Sequence, residues 1–213
     1  VLKRQGALDM MRRLNDEAAE YYGAAGGVAP YEDCDLRIDQ IVGEGDIIDL
    51  GDVTVRELEN PGHTKCCLVF VAGEEYIFPS ETTCYKSRSG KVYPAFLSGC
   101  ADSLTSLYHC AEQHITKIMA PHYGLVTDSS PQEYWQACLE SILESRDFIV
   151  ECGKKGMDED QILRAYEVRF RDDEIRAEQP DHAFDINTRS MIRTVLREYN
   201  EGISSPLEGH PLP

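Results

Sequence analysis

The chain begins with a helical pattern and continues with short apolar segments separated by turns. Apolar residues recur at steps of three and four positions near the start, which predicts a helix over residues 1–22. A Gly/Pro-rich connection follows at 23–35. Turns such as "GEG", "LGD" and "NPG" then separate short extended segments, which is typical of strands joined by tight turns. The predicted strands cover residues 36–42, 46–50, 53–59, 67–72 and 75–79.

The second half of the chain is predominantly helical in pattern. Residues 82–100 show no regular period, and the segment "TKIMAP" predicts a strand between two helices. Two helix starts are well marked: Ser130 with Glu133, and Asp158 with Gln161, have the spacing of a capping box. Helices are predicted over 102–115, from 130 to about 152, from 158, and over 184–199. Hairpin strands later covered by helices predict a layered α/β or α+β domain.

Composition and charge exclude several classes of protein. The 213 residues are 42% hydrophobic and 28% charged, a globular composition, and the formal net charge is −17. This charge would repel a phosphate backbone, so we expect no nucleic-acid partner. The longest apolar runs are too short to span a bilayer, which predicts no membrane partner. No secretory signal is visible, and a cytoplasmic location is expected.

The eight cysteines show no C-x-x-C pair, so a zinc site made of thiolates is not expected. Cys110, Cys138 and Cys152 fall at apolar helical positions. Buried free thiols in a reducing compartment are therefore expected rather than a disulfide framework.

Two of the six histidines differ from the rest in their setting. His63 in "NPGHT" and His122 in "APHYG" each follow an extended apolar segment and are flanked by turn-forming residues, whereas an isolated turn histidine is ordinarily a surface residue. Glu81 also comes at the end of an apolar segment, "EYIFPSE". If these strands share a sheet and a direction, the three side chains meet at one edge. Imidazole and carboxylate together suit zinc or iron.

Three separated segments resemble the metallo-β-lactamase superfamily. "LGDVTVRELENPGHTKCCLVFVAGEEYIFPSE" resembles the family segment of general form LG-x-strand-TPGHT-x-G-strand-FTGD, and "IMAPHYG" resembles its later PGHG element. Between them, "ADSLTSLYH" is similar to the helix that carries SL-x-x-L. The resemblance runs from about residue 36 to 145.

The resemblance implies a fold and a set of domains. It implies the C-terminal part of a metallo-β-lactamase-like αββα sandwich, with a partial family domain at 1–150. A helical extension is expected at 151–203 and a disordered tail at 204–213.

The resemblance also implies metal ligands. His63 matches the histidine that completes the family's first metal site, Glu81 falls where an aspartate bridges two metals, and His122 matches the histidine of the second site. Two divalent ions are therefore expected, with Zn as the first expectation and Fe or Mn as alternatives. In such sites the metals share a hydroxide that attacks the substrate.

Two departures from the family pattern change this expectation. The family motif His-x-His-x-Asp-His is absent, which suggests the C-terminal portion of a longer enzyme that is inactive as this chain alone. We then expect a homodimer or a complementing N-terminal segment as partner. Glu81 also replaces an aspartate and lengthens the ligand by one C–C bond, roughly 1.5 Å.

Two functions follow, and they belong to different classes. The first is a metal-dependent hydrolase acting on a small-molecule ester, thioester, lactone or amide. The alternative is a degenerate, non-catalytic fold relative that serves as a binding module. A cysteine hydrolase using Cys66 or Cys84 is a distant third, because neither cysteine lies at a recognisable helix start.

Candidate substrate contacts lie just after Glu81. Tyr85 can donate a hydrogen bond to an oxyanion, although an ordinary loop tyrosine is the simpler interpretation. Lys86 and Arg88, with Lys91, form a basic cluster that can bind a carboxylate or a CoA-like anion, with a solvated loop face as the simpler interpretation. The substrate itself cannot be inferred from the fold.

Overall fold

The structure, a computed structural model, describes residues 5–21, 23 and 38–213. The chain divides into two compact units, 1–42 and 43–213. In the first unit, helix α1 (Gln5–Tyr21) accounts for the helix predicted over 1–22. The connection at 24–35 lies outside the described residues, as do the first two positions of the strand predicted at 36–42. Residues 38–42 are described and form no strand.

The second unit contains strands and helices in the order expected for the predicted strand block followed by helices. In chain order these are β1 (Ile47–Asp49), β2 (Thr54–Glu59), β3 (Leu68–Ala72), β4 (Tyr76–Pro79), β5 (Tyr85–Lys86), β6 (Val92–Tyr93), α2 (Cys100–Ala111), β7 (Lys117–Ala120), β8 (Gly124–Leu125), α3 (Pro131–Lys154), α4 (Glu159–Phe170), α5 (Asp173–Glu178) and α6 (Asp181–Glu201). The predicted α/β class is confirmed by this arrangement. Among the described residues no helix is both long and apolar enough to cross a membrane.

Six strands form one mixed sheet in the order β1-β2-β3-β4-β7-β8. β1 to β4 are an antiparallel meander, as the turn pattern predicts. β7 then pairs parallel to β4 after the chain passes through α2. Because β2 and β4 are both antiparallel to β3, the strands β2, β4 and β7 all run in the same direction. Their carboxyl ends therefore lie at one edge of the sheet.

One face of this sheet carries the helices. Its apolar residues, such as Val69, Ile77 and Ile118, join a single buried cluster with residues of α2, α3, α4 and α6. The capping boxes predicted at Ser130 and Asp158 are both formed, and they fix the starts of α3 and α4. Within the described residues the only other sheet is the two-stranded β5–β6 hairpin.

Strand β2 departs from simple alternation near its end. Leu58 faces the helical core, and Glu57, which points to the opposite face, is also fully buried. The Glu57 carboxylate has no hydrogen-bond partner among the described residues. Burial, followed by the nearby carboxylates of Glu44 and Asp46, raises the pKa of Glu57. Burial without a partner thus disfavours the charged form of this carboxylate.

The sequence pattern predicted neither the β5–β6 hairpin, which lies in the irregular region, nor helix α5. Residues 82–100 contain the β5–β6 hairpin, and the short helix α5 packs beside it. The hairpin is tied to α5 by polar contacts between distant residues, such as Ser89 N to Glu174 Oε1 at 2.7 Å. A local hydrophobic period cannot report contacts of this kind.

The last residues pack against the helices. The sequence predicts disorder for residues 204–213. In the structure, Ser205 is buried and Leu212 packs on the core. Tyr108 donates a hydrogen bond to the backbone oxygen of His210, and Arg146 pairs with Glu208. The helical extension predicted from residue 151 lies in the compact unit 43–213 together with the sheet.

The described cysteines are free thiols. Those at the predicted apolar positions, Cys110, Cys138 and Cys152, are buried. Cys66 is exposed, and Cys34 lies outside the described residues.

Candidate metal and substrate site

Three side chains meet at the edge where β2, β4 and β7 end. His63 follows β2 by four residues, and Glu81 and His122 follow β4 and β7 by two residues each. His63 Nε2 lies 3.1 Å from one oxygen of Glu81, and His122 Nε2 lies 2.8 Å from the other. The structure thus brings together the three residues that the sequence singled out, with the carboxylate between the two imidazoles.

The turn that carries His63 is held in place through its backbone. Thr82 Oγ1 accepts from His63 N at 3.1 Å and donates to the Asn60 carbonyl oxygen at 2.8 Å. Gly62 has φ +146°, and a Cβ there would lie 2.8 Å from Ser103 Cα in helix α2. Only glycine allows this close approach of the turn to the helix.

A second backbone contact orients the His63 ring. Its Nδ1 lies 2.7 Å from the Ala95 carbonyl oxygen, which can only accept, so Nδ1 carries a proton. In the neutral ring, Nε2 then has a free lone pair aimed at Glu81. An imidazole held in this way by a backbone carbonyl is a common arrangement for a metal ligand.

His122 occupies a strained turn. Its φ is +71°, in the left-handed region where residues other than glycine are uncommon, although histidine is tolerated better than most. Such conformations cost on the order of 1–3 kcal/mol and cluster at functional sites. The turn points the His122 ring inward to Glu81 and edge-on to Tyr85, at 5.8 Å between ring centroids.

A cavity of about 230 Å³ opens beside the three residues. It is lined by His63, Glu81, Tyr85, Ala95, His122, Tyr123, Glu178, Gln179 and Asn187. Burial raises the pKa of Tyr85 well above its usual value, so its hydroxyl stays protonated and can donate a hydrogen bond. The remaining histidines, His109, His114, His182 and His210, do not line this cavity.

The far wall of the cavity is formed by α5 and α6, in which no candidate site residue was identified from the sequence. Glu178 and Gln179 come from the end of α5, and Asn187 comes from α6. The largest cause of the raised pKa of Tyr123 is its hydrogen bond to Glu178. This hydrogen bond joins the far wall of the cavity to the turn that carries His122. No motif marks these residues, because their role depends on how α5 packs.

The predicted basic cluster is placed elsewhere. Lys86 is largely buried and pairs with Asp128 at 2.6 Å, and Lys91 pairs with Asp172 at 2.9 Å. Arg88 is exposed, and its guanidinium carbon lies 5.9 Å from the centroid of the Tyr123 ring. Lys86 and Arg88 therefore do not line the cavity.

The types of side chain in this cluster suit one divalent ion. The imidazole nitrogens and the Glu81 oxygens, however, lie at hydrogen-bonding distances, closer together than metal ligands. Two imidazole nitrogens and a carboxylate are ligands that zinc and iron accept. Ligand atoms around a tetrahedral zinc ion are separated by about 3.3 Å, whereas His122 Nε2 and Glu81 Oε1 are 2.8 Å apart. No group of three or more His, Cys, Asp or Glu side chains in the described ranges is arranged around a common ion. Holding an ion requires the Glu81 carboxylate to retract.

Helix α5 is anchored to the β5–β6 hairpin by Asp172. Its carboxylate accepts from Ile175 N at 3.0 Å, from Lys91 at 2.9 Å and from the Tyr93 hydroxyl at 2.9 Å. Partial burial acts to raise the pKa of Asp172, but these hydrogen bonds outweigh it and lower the pKa to about 2. This contact fixes the helix that ends in Glu178.

Comparison with solved structures finds similar folds at low sequence identity. An archaeal metallo-β-lactamase superfamily protein from Sulfolobus tokodaii matches with a TM-score of 0.47 and 17% identity, over 94% of this chain and 66% of that one. A metallo-β-lactamase family protein from Thermus thermophilus matches with a TM-score of 0.46 and 15% identity, over 88% and 60%. Both belong to the superfamily that the sequence resembles.

The chain spans less than two thirds of the length of each of these proteins. No protein-family model matches the sequence, and no curated protein matches it significantly. What the site can do therefore depends on its own side chains.

The first prediction concerns Gly62. In Gly62→Ala the new Cβ would clash with Ser103 in α2, so the turn and His63 must move. We expect a loss of roughly 1–3 kcal/mol in the free energy of unfolding, measured with urea. Gly43→Ala is the control, because its Cβ would meet nothing within 4 Å. Equal stability of the two variants would show that the turn is not tightly packed.

The second prediction concerns pH. The folded pKa of Asp172, about 2, lies below the usual value of about 3.9. Its ionised form therefore stabilises the fold above pH ~4, and this contribution is lost as the pH falls toward 2. Asp172→Asn should be less stable than wild type at pH 6, and the difference should shrink between pH 4 and 2. Urea unfolding at several pH values measures this, with exposed Asp173→Asn as control. A difference independent of pH would contradict the assignment.

Proposed function

We propose that the chain carries part of the active centre of a metal-dependent hydrolase, in which His63, Glu81 and His122 hold a divalent metal ion. The observation that carries the proposal is the convergence of two imidazole Nε2 atoms on one carboxylate, at 3.1 and 2.8 Å. His63 supports it further, because the Ala95 carbonyl leaves its Nε2 lone pair free for an ion. Zinc is the first candidate, with iron or manganese as alternatives.

Each residue has a distinct role in this proposal. A divalent ion bound there would lower the pKa of a water molecule and polarise a carbonyl oxygen. The Tyr85 hydroxyl, protonated because burial raises its pKa, would donate a hydrogen bond to that oxygen. Glu178 and Tyr123 form the rim through which substrate enters the cavity.

The pair of ions implied by the sequence resemblance needs more donors than these three side chains supply. Among the described residues, no group of three or more His, Cys, Asp or Glu side chains, these three included, already has the arrangement that holds an ion. We therefore propose one ion for the chain as described. A second ion, and with it full activity, would require ligands from another segment or another subunit.

A metal-free binding module is the second candidate. It is favoured by the hydrogen bond between His122 Nε2 and Glu81 at 2.8 Å and by the 3.1 Å contact of His63 Nε2 with the same carboxylate, since these contacts engage the three side chains without an ion. The two candidates differ in one measurable property, the affinity for a divalent metal.

The third prediction is metal binding that depends on both histidines. In a Cys66→Ser/Cys67→Ser background, which removes the exposed and half-buried thiols next to His63, the chain should bind about one Zn²⁺ in calorimetric titration. His63→Ala and His122→Ala should each weaken binding at least about tenfold, because each removes one of three protein ligands. His109→Ala, exposed on α2 and outside the cavity, is the matched control.

Two results would count against this assignment. A chain that binds no metal would favour the binding module, and His63→Ala binding as wild type would place the ion elsewhere.

The fourth prediction uses the length of Glu81. Glu81→Asp shortens the side chain by one C–C bond, about 1.5 Å, and draws the carboxylate back from between the imidazoles. We expect Zn²⁺ affinity to be kept or raised, whereas Glu81→Gln, which removes the charge at equal length, should lower it. Calorimetric titration compares the two variants. A loss of binding in Glu81→Asp as large as in Glu81→Gln would mean that the carboxylate does not need to retract.

A further inference from the structure

A second, smaller cavity adjoins the first. It has a volume of about 30 Å³ and shares Tyr85, Ala95, Gln179 and Asn187 with the cavity at the histidines. Because these four residues border both spaces, the two cavities are direct neighbours. Tyr85 stands at the junction of the two.

The second cavity is lined mainly by aromatic and apolar side chains. Tyr166 and Phe170 pack at 4.5 Å between ring centroids, and Tyr85 stacks on Tyr93 at 5.5 Å. Buried Ile175, Phe184 and Met191 complete the apolar lining. A space of this size holds about two water-sized groups, which corresponds to a short alkyl group.

The charges around both cavities are negative. Their described lining residues include the carboxylates Glu81 and Glu178 and no Lys or Arg. The nearby lysines are paired elsewhere, Lys86 with Asp128 and Lys91 with Asp172. Arg88 lies outside this lining, with its guanidinium carbon 5.9 Å from the centroid of the Tyr123 ring. In the metal-free chain, an anionic group inside either cavity would therefore meet carboxylates and no Lys or Arg of the lining.

We propose that the site binds a neutral carbonyl compound of the ester or amide class whose acyl part ends in a short alkyl group, lodged in the aromatic cavity. This inference rests on the proposed function, because it places the carbonyl group beside Tyr85 and the histidines. It replaces the carboxylate or CoA-like anion that the basic cluster suggested. The leaving group faces the open side, past Tyr123, which is 43% exposed.

The test uses binding rather than turnover. Methionine methyl groups are labelled for NMR, with Met191 in the aromatic cavity as reporter and Met119, in β7 outside both cavities, as internal control. Butyramide, octanamide and propyl phosphate are titrated into the full chain. Amides of this kind are stable mimics of an ester substrate.

We expect butyramide to shift the Met191 methyl signal saturably and to leave Met119 unchanged. Octanamide should bind at least about tenfold more weakly, since each methylene beyond the cavity's capacity is penalised. Propyl phosphate should cause no shift at Met191. Ala95→Leu, which places a larger side chain at the junction, should abolish the butyramide shift while Met119 keeps its native signal.

The outcomes separate this inference from the proposed function. If Zn²⁺ binds and butyramide leaves Met191 unchanged, the substrate inference fails and the metal site stands. If butyramide shifts Met191 and no metal binds, the apolar subsite stands and the hydrolase proposal fails. Stronger binding of propyl phosphate than of butyramide would overturn the inference. If Ala95→Leu does not fold, the comparison of butyramide with octanamide on the wild-type protein still tests the inference.

Discussion

The common direction of three strands determines where His63, Glu81 and His122 meet. Strands β2, β4 and β7 point the same way because β3 is antiparallel to both β2 and β4, and because the chain returns through α2 to lay β7 parallel to β4. Residues that follow the three strands are thereby gathered at one edge, although His63, Glu81 and His122 are far apart in sequence. A change of direction in any of these strands would move one of the three residues to the opposite edge.

At that edge, one carboxylate lies between two imidazoles. The Ala95 carbonyl fixes the proton of His63 on Nδ1, so a neutral ring would bring a lone pair against a carboxylate oxygen at 3.1 Å. Two acceptors at this distance repel each other unless a positive charge joins them. A proton between the two atoms or a cation bound by both would remove this repulsion. The metal ion proposed above is one way to meet this requirement.

The sequence predicts the parts of the fold that depend on local signals. Ser130 and Asp158 cap their helices as predicted, because a capping box is complete within four residues. His63 and His122 could be singled out, because each follows an apolar segment at a turn. The strand predicted at 36–42 is absent over its described part, 38–42. Apolar residues alone do not form a strand, because a strand also needs a neighbouring strand to pair with. Glu178 and Asn187 could not be predicted as wall residues, since their position depends on long-range packing of α5 and α6.

The basic cluster shows how the surroundings of charged residues change what their sequence pattern indicates. Lys86, Arg88 and Lys91 are close to Glu81 in sequence, which made an anion site a reasonable expectation. In a chain of net charge −17, however, carboxylates outnumber the available cations, and nearby Asp128 and Asp172 take both lysines. These pairs support the hairpin and α5, and thereby the wall of the cavity. The cavity itself keeps Glu81 and Glu178 without a lysine or arginine among its described lining residues. The pairs that stabilise the wall thus also leave the described lining with carboxylates and no lysine or arginine, and the metal cation and neutral ligand proposed above depend on this charge.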